Sequence, residues 1–350
     1  MIDRRALLAS TLALAACQRG ASAAPAASAR PLKSHVPFPV GTSAMSGQFD
    51  DPAWVELATT HVSQLTPEWE MKMEYILSDS RDYRFDAPDR IAAFAAGHGM
   101  RLHGHALIWY SQGETAFAGL DPARFTAEYD RYIATVAGRY RGRVAGWDVV
   151  NEAVAEDGQG LRDCHWSQAL GQDGYIVRAF EQARAADPDA VLFLNDYNLE
   201  NNPVKGATFL RLVERLLRAG VPIGGIGTQS HLDIEIPAGR IASFMREAAQ
   251  FGLPIHVSEL DASLRGEGRI DTRSPARRID QQTARVAELA QAFAALPAAQ
   301  RYAFTVWGLR DTDSWLRRDA RDDGEDSPLL FDAAGRTNPM FEAVTAAFGA

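Results

Sequence analysis

Residues 144–152, VAGWDVVNE, decide how this chain is read. Val144, Trp147, Val149 and Val150 make a short apolar run of the kind that suits a strand buried on both faces. The run stops in an amide and an acid, Asn151 and Glu152. A turn or a helix cap accounts for most such pairs, because Asn and short polar side chains satisfy backbone groups there. Seven other runs in the chain share this form, however. They are VPFPVGTSA (36–44), THVSQLT (60–66), RLHGHALIW (101–109), AVLFLNDYN (190–198), IGGIGTQSH (223–231), PIHVSELD (254–261) and YAFTVWGL (302–309). Between them, residues 123–141, 175–186, 204–219, 241–251 and 276–295 carry apolar side chains three and four apart, the spacing of a helix with one buried face. Phe209, Leu212, Val213, Leu216 and Leu217 form one such stripe. Eight strand–helix alternations predict an α/β chain folded as a single (β/α)8 TIM barrel, with an open doubly wound sheet as the alternative.

The ends of these runs are chemically alike. The third ends with His105 and Trp109, and the fourth with Asn151 and Glu152. The fifth ends with Asn195, Asp196, Tyr197 and Asn198, and the sixth with Gln229 and His231. The seventh carries Glu259 and Asp261, and the eighth Trp307. In a parallel barrel all these ends meet on one rim, where active sites are built. Glu152 and Glu259 fall three βα units apart and so face each other across the mouth. Two carboxylates facing a gap are the machinery of glycoside hydrolysis: one protonates the leaving oxygen while the other, ionised, attacks the anomeric carbon.

Composition agrees with this reading. The chain has 350 residues, 46 % hydrophobic and 23 % charged, and a net charge of −9. That is enough apolar material for one large barrel. The acidic balance argues against nucleic acid and against anionic membranes as partners and suits a neutral polymer. Residues 1–23 are read as an export signal, with Arg4 and Arg5 ahead of an apolar stretch too short to span a membrane. The paired arginines resemble a twin-arginine signal. Leu14 to Cys17 resembles a lipobox, which would make Cys17 a lipid anchor; cleavage after Ala23 is the other reading. Either way the protein is expected to be exported: periplasmic, outer-membrane-anchored or extracellular in a bacterium. Residues 24–35, rich in Ala, Ser and Pro, are read as a flexible tether, and 36–350 as the catalytic barrel. Cys164 is the only cysteine besides Cys17, so no disulfide is expected in the mature domain. No cofactor or metal is expected, and the chain is read as a monomer. His103 and His105 share one strand face, but nothing at ligand spacing joins them, so His103 is read as barrel packing.

The motifs TPEWEMK, GHALIW, WDVVNEA, GIGTQSH, VSELD and VWGLRDTDSW, in this order along the chain, resemble glycoside hydrolase family 10, chiefly endo-β-1,4-xylanases. The resemblance covers the chain from about residue 41 onward. It implies a retaining hydrolase of xylan or xylo-oligosaccharides, with Glu152 as acid/base, Glu259 as nucleophile and the two carboxyls about 5–5.5 Å apart. It further implies that Asn151 binds the sugar's 2-hydroxyl, that His231 orients Glu259 with Asp261 behind it, and that Gln229 donates to the sugar or the base. Lys72 and His105 would touch the same sugar, and Trp307 and Trp315 would wall it. Trp109 would buttress His105. Tyr197 and Asn198 would border the aglycone side, and Glu68 and Gln112 the next sugar outward.

The sequence departs from the family pattern at three places. Trp69 stands where Asn usually follows Glu68, Met73 replaces a usual Trp, and Tyr110 stands where His is common. An indole can donate one hydrogen bond and accept none, so an altered glycone subsite is expected at Trp69. Two other readings stay open: a β-1,4-glucanase or mannanase on the same fold, and a non-catalytic oligosaccharide-binding lipoprotein.

Overall fold

A computed structural model describes residues 30–265, 272–318 and 324–349. The export segment, Cys17 and the tether up to residue 29 lie outside the described residues. Eight parallel strands close into a barrel in chain order: β1 (Val40–Ala44), β2 (Gln64–Pro67), β3 (Arg101–Trp109), β4 (Gly146–Asn151), β5 (Val191–Asp196), β6 (Gly225–Thr228), β7 (Ile255–Leu260) and β8 (Arg301–Val306). Each matches one of the eight apolar runs. The ring closes where Val40 pairs with Phe304 and Thr42 with Val306. Packing begins slightly ahead of residue 36. Leu32 is buried, and its amide donates to His61 Nδ1 at 3.3 Å.

The helices predicted from periodicity are present at Pro122–Arg139, Gly174–Ala186, Pro203–Arg218, Arg240–Ala249 and Pro275–Ala294. On Pro203–Arg218 the buried set includes Phe209, Leu212, Val213 and Leu216, while Leu217 is only half-buried. Five helices start with one device. Asp51, Asp121, Asn202, Ser274 and Asn338 each accept backbone N–H groups of the first turn and are each followed by Pro. The cap satisfies amides that have no partner within the helix, and Pro fits where no N–H is needed. Each cap contributes about 1 kcal/mol.

An aromatic and polar cluster joins strands β3, β5, β7 and β8. Phe193, Tyr302, His103 and His256 meet edge to face, with ring centroids 4.5–5.8 Å apart. His103 is fully buried there, as packing requires. Its Nε2 lies 3.2 Å from Asp148 Oδ1. Asp148, His103 and His256 offer one ligand atom each within 4.8 Å of one another, a juxtaposition across three strands that the spacing of His103 and His105 does not reveal. Among the described residues no helix is long and apolar enough to cross a membrane. Cys164 is buried and free.

Candidate active site

The C-terminal ends of the strands bring Glu152 and Glu259 into one bonded network. Glu152 follows β4 directly and sits at φ 62°, in the left-handed region that residues with a side chain seldom adopt. Its amide donates to the Asn195 carbonyl at 2.8 Å. Three donors fix its carboxylate. Asn151 Nδ2 and Gln229 Nε2 each reach Oε1 at 3.0 Å, and Trp109 Nε1 reaches Oε2 at 2.8 Å. Trp109, expected from the sequence to buttress His105, thus spends its N–H on Glu152. The Trp307 ring meets His105 edge-on at 5.2 Å.

Glu259, on β7, has a different surrounding. Asn195 Nδ2 donates to its Oε1 at 2.9 Å; His105 Nδ1 stands 4.0 Å from the same oxygen, and His231 Nε2 3.6 Å from Oε2. Burial pushes the Glu259 carboxyl up, but His105, His231 and Lys72 together outweigh it and hold the group below its ordinary value. Glu259 is thus poised as a carboxylate.

Two amides span the gap between the acids. Asn195 Nδ2 also donates to Asn151 Oδ1 at 2.9 Å, so a chain runs Glu152–Asn151–Asn195–Glu259. Ser258 Oγ anchors it by donating to Asn195 Oδ1 at 2.8 Å. Asn195 was visible in the sequence as a polar strand end, but nothing there showed that it bonds to Glu259 and to Asn151 at once.

Behind Glu259, His231 Nδ1 lies 2.9 Å from Asp261 Oδ2, and Trp315 Nε1 donates to that same oxygen at 2.8 Å. Burial pulls the His231 imidazole down, yet Asp261 and Glu259 on either side raise it to about 10, so it is a cation at neutral pH. A histidine whose folded pKa lies above its unfolded value adds stability below the unfolded value that is lost as pH rises through the folded one. The Tm difference between wild type and His231→Gln is therefore expected to be constant below the ordinary histidine value of 6.5 and to shrink as pH climbs toward about 10. Paired thermal melts across that range check this; a pH-independent difference would contradict it.

Lys72 is buried beneath three indoles, with Nζ 4.2, 4.8 and 6.0 Å from the rings of Trp69, Trp109 and Trp307. Burial draws its pKa down against Glu259, Glu152, Glu68 and Asp148. His105 gives Nδ1 to Asp148 Oδ2 at 2.8 Å; among the described residues its Nε2 has no hydrogen-bond partner. Trp315 leaves 45 % of its surface exposed beside His231, whereas Trp307 is buried. Trp315 thus lies as an open face against His231 and Asp261, and Trp307 as a buried one against His105.

Other predicted site residues are engaged by the protein itself. Glu68 is held by both nitrogens of Arg318, at 2.6 and 2.8 Å, and accepts from Trp69 Nε1 at 3.1 Å. Gln112 uses its carbonyl to accept the Glu74 amide at 3.2 Å. The Tyr197 hydroxyl meets Glu156 and accepts from Arg162 Nη2 at 3.1 Å. Asn198 takes a positive φ of 57°. Met73 is buried, with its sulfur against Gly113.

Residues 31–347 match the model of glycosyl hydrolase family 10. The chain is 35 % identical over 345 residues to endo-1,4-beta-xylanase A of Cellvibrio japonicus, covering 90 % of this chain and 56 % of that protein. It is 33 % identical over 325 residues to a protein of Acetivibrio thermocellus named exoglucanase XynX, covering 88 % of this chain and 28 % of the other. It thus spans little more than half, or less, of those relatives' lengths. Among solved structures, a thermostable mutant of a xylanase from Cellvibrio japonicus superposes with a TM-score of 0.83 at 34 % identity, covering 91 % of this chain and 99 % of that one.

Proposed function

This chain belongs to glycosyl hydrolase family 10, and from that premise we propose that it is a retaining endo-β-1,4-xylanase with Glu152 as acid/base and Glu259 as nucleophile. The observation that carries the roles is the unequal setting of the two acids. Two histidines and a lysine favour the ionised form of Glu259, which suits attack on an anomeric carbon. Glu152 is held by neutral N–H groups instead. In the first step Glu259 bonds to the anomeric carbon while Glu152 gives its proton to the departing oxygen. In the second, Glu152 takes a proton from water, which displaces Glu259 and restores both acids. Asn151 reaches Glu152 and lies within the amide chain, placing it to meet a sugar hydroxyl as charge develops. Incubating the protein with xylotetraose and following the new reducing ends by NMR tests the reading: the β anomer is expected first, and an α product would overturn it.

One observation favours a second reading, a β-1,4-glucanase: a relative of similar identity carries the name exoglucanase. Reducing-sugar release from xylan, cellulose and mannan, measured side by side, separates the two. Sugar binding without release from any of them would instead leave an oligosaccharide-binding protein. Export, with Cys17 as a lipid anchor, remains part of the proposal. Mass spectrometry of the mature N-terminus decides between a lipidated Cys17 and a free end near residue 24.

We also propose that Trp69 alters the glycone side. Its single donor goes to Glu68 and its face covers Lys72, so it has no hydrogen bond left for a sugar. Trp69→Asn is expected to raise kcat/KM on xylotriose and xylotetraose by up to about tenfold, the worth of one good hydrogen bond, with little change on an aryl xyloside. Unchanged values on the oligosaccharides would count against it.

A further inference from the structure

The loop after β4 folds back on itself. Val154 and Leu161 pair antiparallel, Ala155 N donates to Gly160 O at 3.0 Å, and Arg162 N donates to Ala153 O at 2.8 Å. This small hairpin returns Arg162, ten residues on in the chain, to the side of Glu152. There Arg162 Nε donates to the Glu152 main-chain carbonyl at 3.2 Å. The rest of the guanidinium is held from three directions. It lies over the Tyr110 ring at 3.9 Å, donates from Nη2 to the Tyr197 hydroxyl at 3.1 Å, and stands 3.6 Å from Glu156 Oε2. Only 14 % of the side chain is exposed.

The hairpin is itself pinned. Val154 N donates to Asp196 Oδ2 at 3.0 Å, and Thr208 Oγ1 donates to Gly158 O at 2.6 Å. Asp196 in turn pairs with Lys205 at 3.1 Å, both fully buried. At Gly158 the φ is +75° and a Cβ would fall 2.5 Å from Lys205 N, so only glycine lets the tip sit down on that helix.

A left-handed backbone at a residue such as glutamate persists only where its surroundings over-determine it. The Glu152 amide is fixed by Asn195 and its carbonyl by Arg162, one bond on each side of the strained Cα. We infer that Arg162 is a positioning residue for Glu152: it holds the peptide after the acid so that the carboxyl stands at the departing oxygen. The inference rests on the acid/base role proposed above. Arg suits the task because its planar fork can bond two acceptors and stack on a ring at once. Tyr110, one of the departures from the family pattern, supplies that ring.

The test compares wild type, Arg162→Met, Arg162→Lys and Glu152→Ala on xylotetraose, whose leaving group needs a proton, and on 2,4-dinitrophenyl β-xylobioside, whose leaving group does not. Arg162→Met is expected to lose about 10²-fold in kcat on xylotetraose, the scale set by a misplacement of roughly 1 Å, with KM moving only a few-fold. Its first-step rate on the activated substrate should fall less than about fivefold. Arg162→Lys should recover part of the loss. Equal losses on both substrates, or an intact kcat on xylotetraose, would overturn the inference. Should Arg162→Met fail to fold, Arg162→Lys decides alone: a loss confined to xylotetraose supports the inference, and no loss or an even loss ends it. Glu152→Ala separates the two layers. Even losses in that variant would overturn the acid/base role itself, whereas selective losses there and none at Arg162 would overturn only the positioning.

Discussion

Glu259→Ala is expected to lose turnover on every substrate, activated or not, by about 10⁵-fold or more, the usual scale for removing a nucleophile. The structure offers no replacement. Of the other carboxylates around the site, Asp261 accepts at Oδ2 from Trp315 and pairs there with His231, and Asp148 is bound to His105 and His103. The loss should be the same for a xylan chain and for a dinitrophenyl xyloside, because both need the carbon–oxygen bond to the enzyme before water can act. Added azide makes the outcome specific. In the Ala variant a small anion can attack from the face that Glu259 occupied, giving an α-xylosyl azide. Residual turnover at more than about one hundredth of wild type, or a β-azide, would move the nucleophile elsewhere.

Glu152→Ala should behave differently. A general acid is worth about 10²–10⁴-fold, and that is the expected loss on xylan and xylotetraose. Formation of the covalent intermediate from a dinitrophenyl xyloside should be nearly spared, since the phenolate departs without a proton. Breakdown of that intermediate still lacks its base, so the intermediate should accumulate and a burst of phenolate should precede a slow steady rate. Azide, which needs no base, should restore the steady rate and yield a β-xylosyl azide. Burst kinetics and the configuration of the azide product are the measurements. Parallel losses on both substrate classes would contradict the assigned roles.

Much of this site was legible before any coordinates. The eight strands could be placed because each apolar run is short, β-rich and closed by polar residues. Glu152 and Glu259 stood out because a strand end has no need of an acid. What pattern could not supply was direction. Strands β3 and β4 shift register between His105 and Ile108, and β4 and β5 between Asp148 and Val150. Beyond those points simple alternation no longer says which side chains meet. That is why the partner of the Trp109 N–H, Glu152, could not be read from the strand pattern. Arg318 on Glu68 joins the far end of the chain to β2, and no spacing rule connects them. Arg162 was missed for a related reason: an arginine in a loop reads as a solvated charge until the hairpin that returns it is seen.

The pairing of β1 with β8 has a consequence for how such a chain must be made. Until residues 301–306 emerge, the first strand keeps one flank of N–H and C=O groups without a neighbour, and so does the seventh. Exposed flanks of this kind recruit any other extended polypeptide. Synthesis must therefore pass residue 306 before the barrel can shield itself, and a chain cut short anywhere before that point is a sticky fragment rather than a smaller barrel.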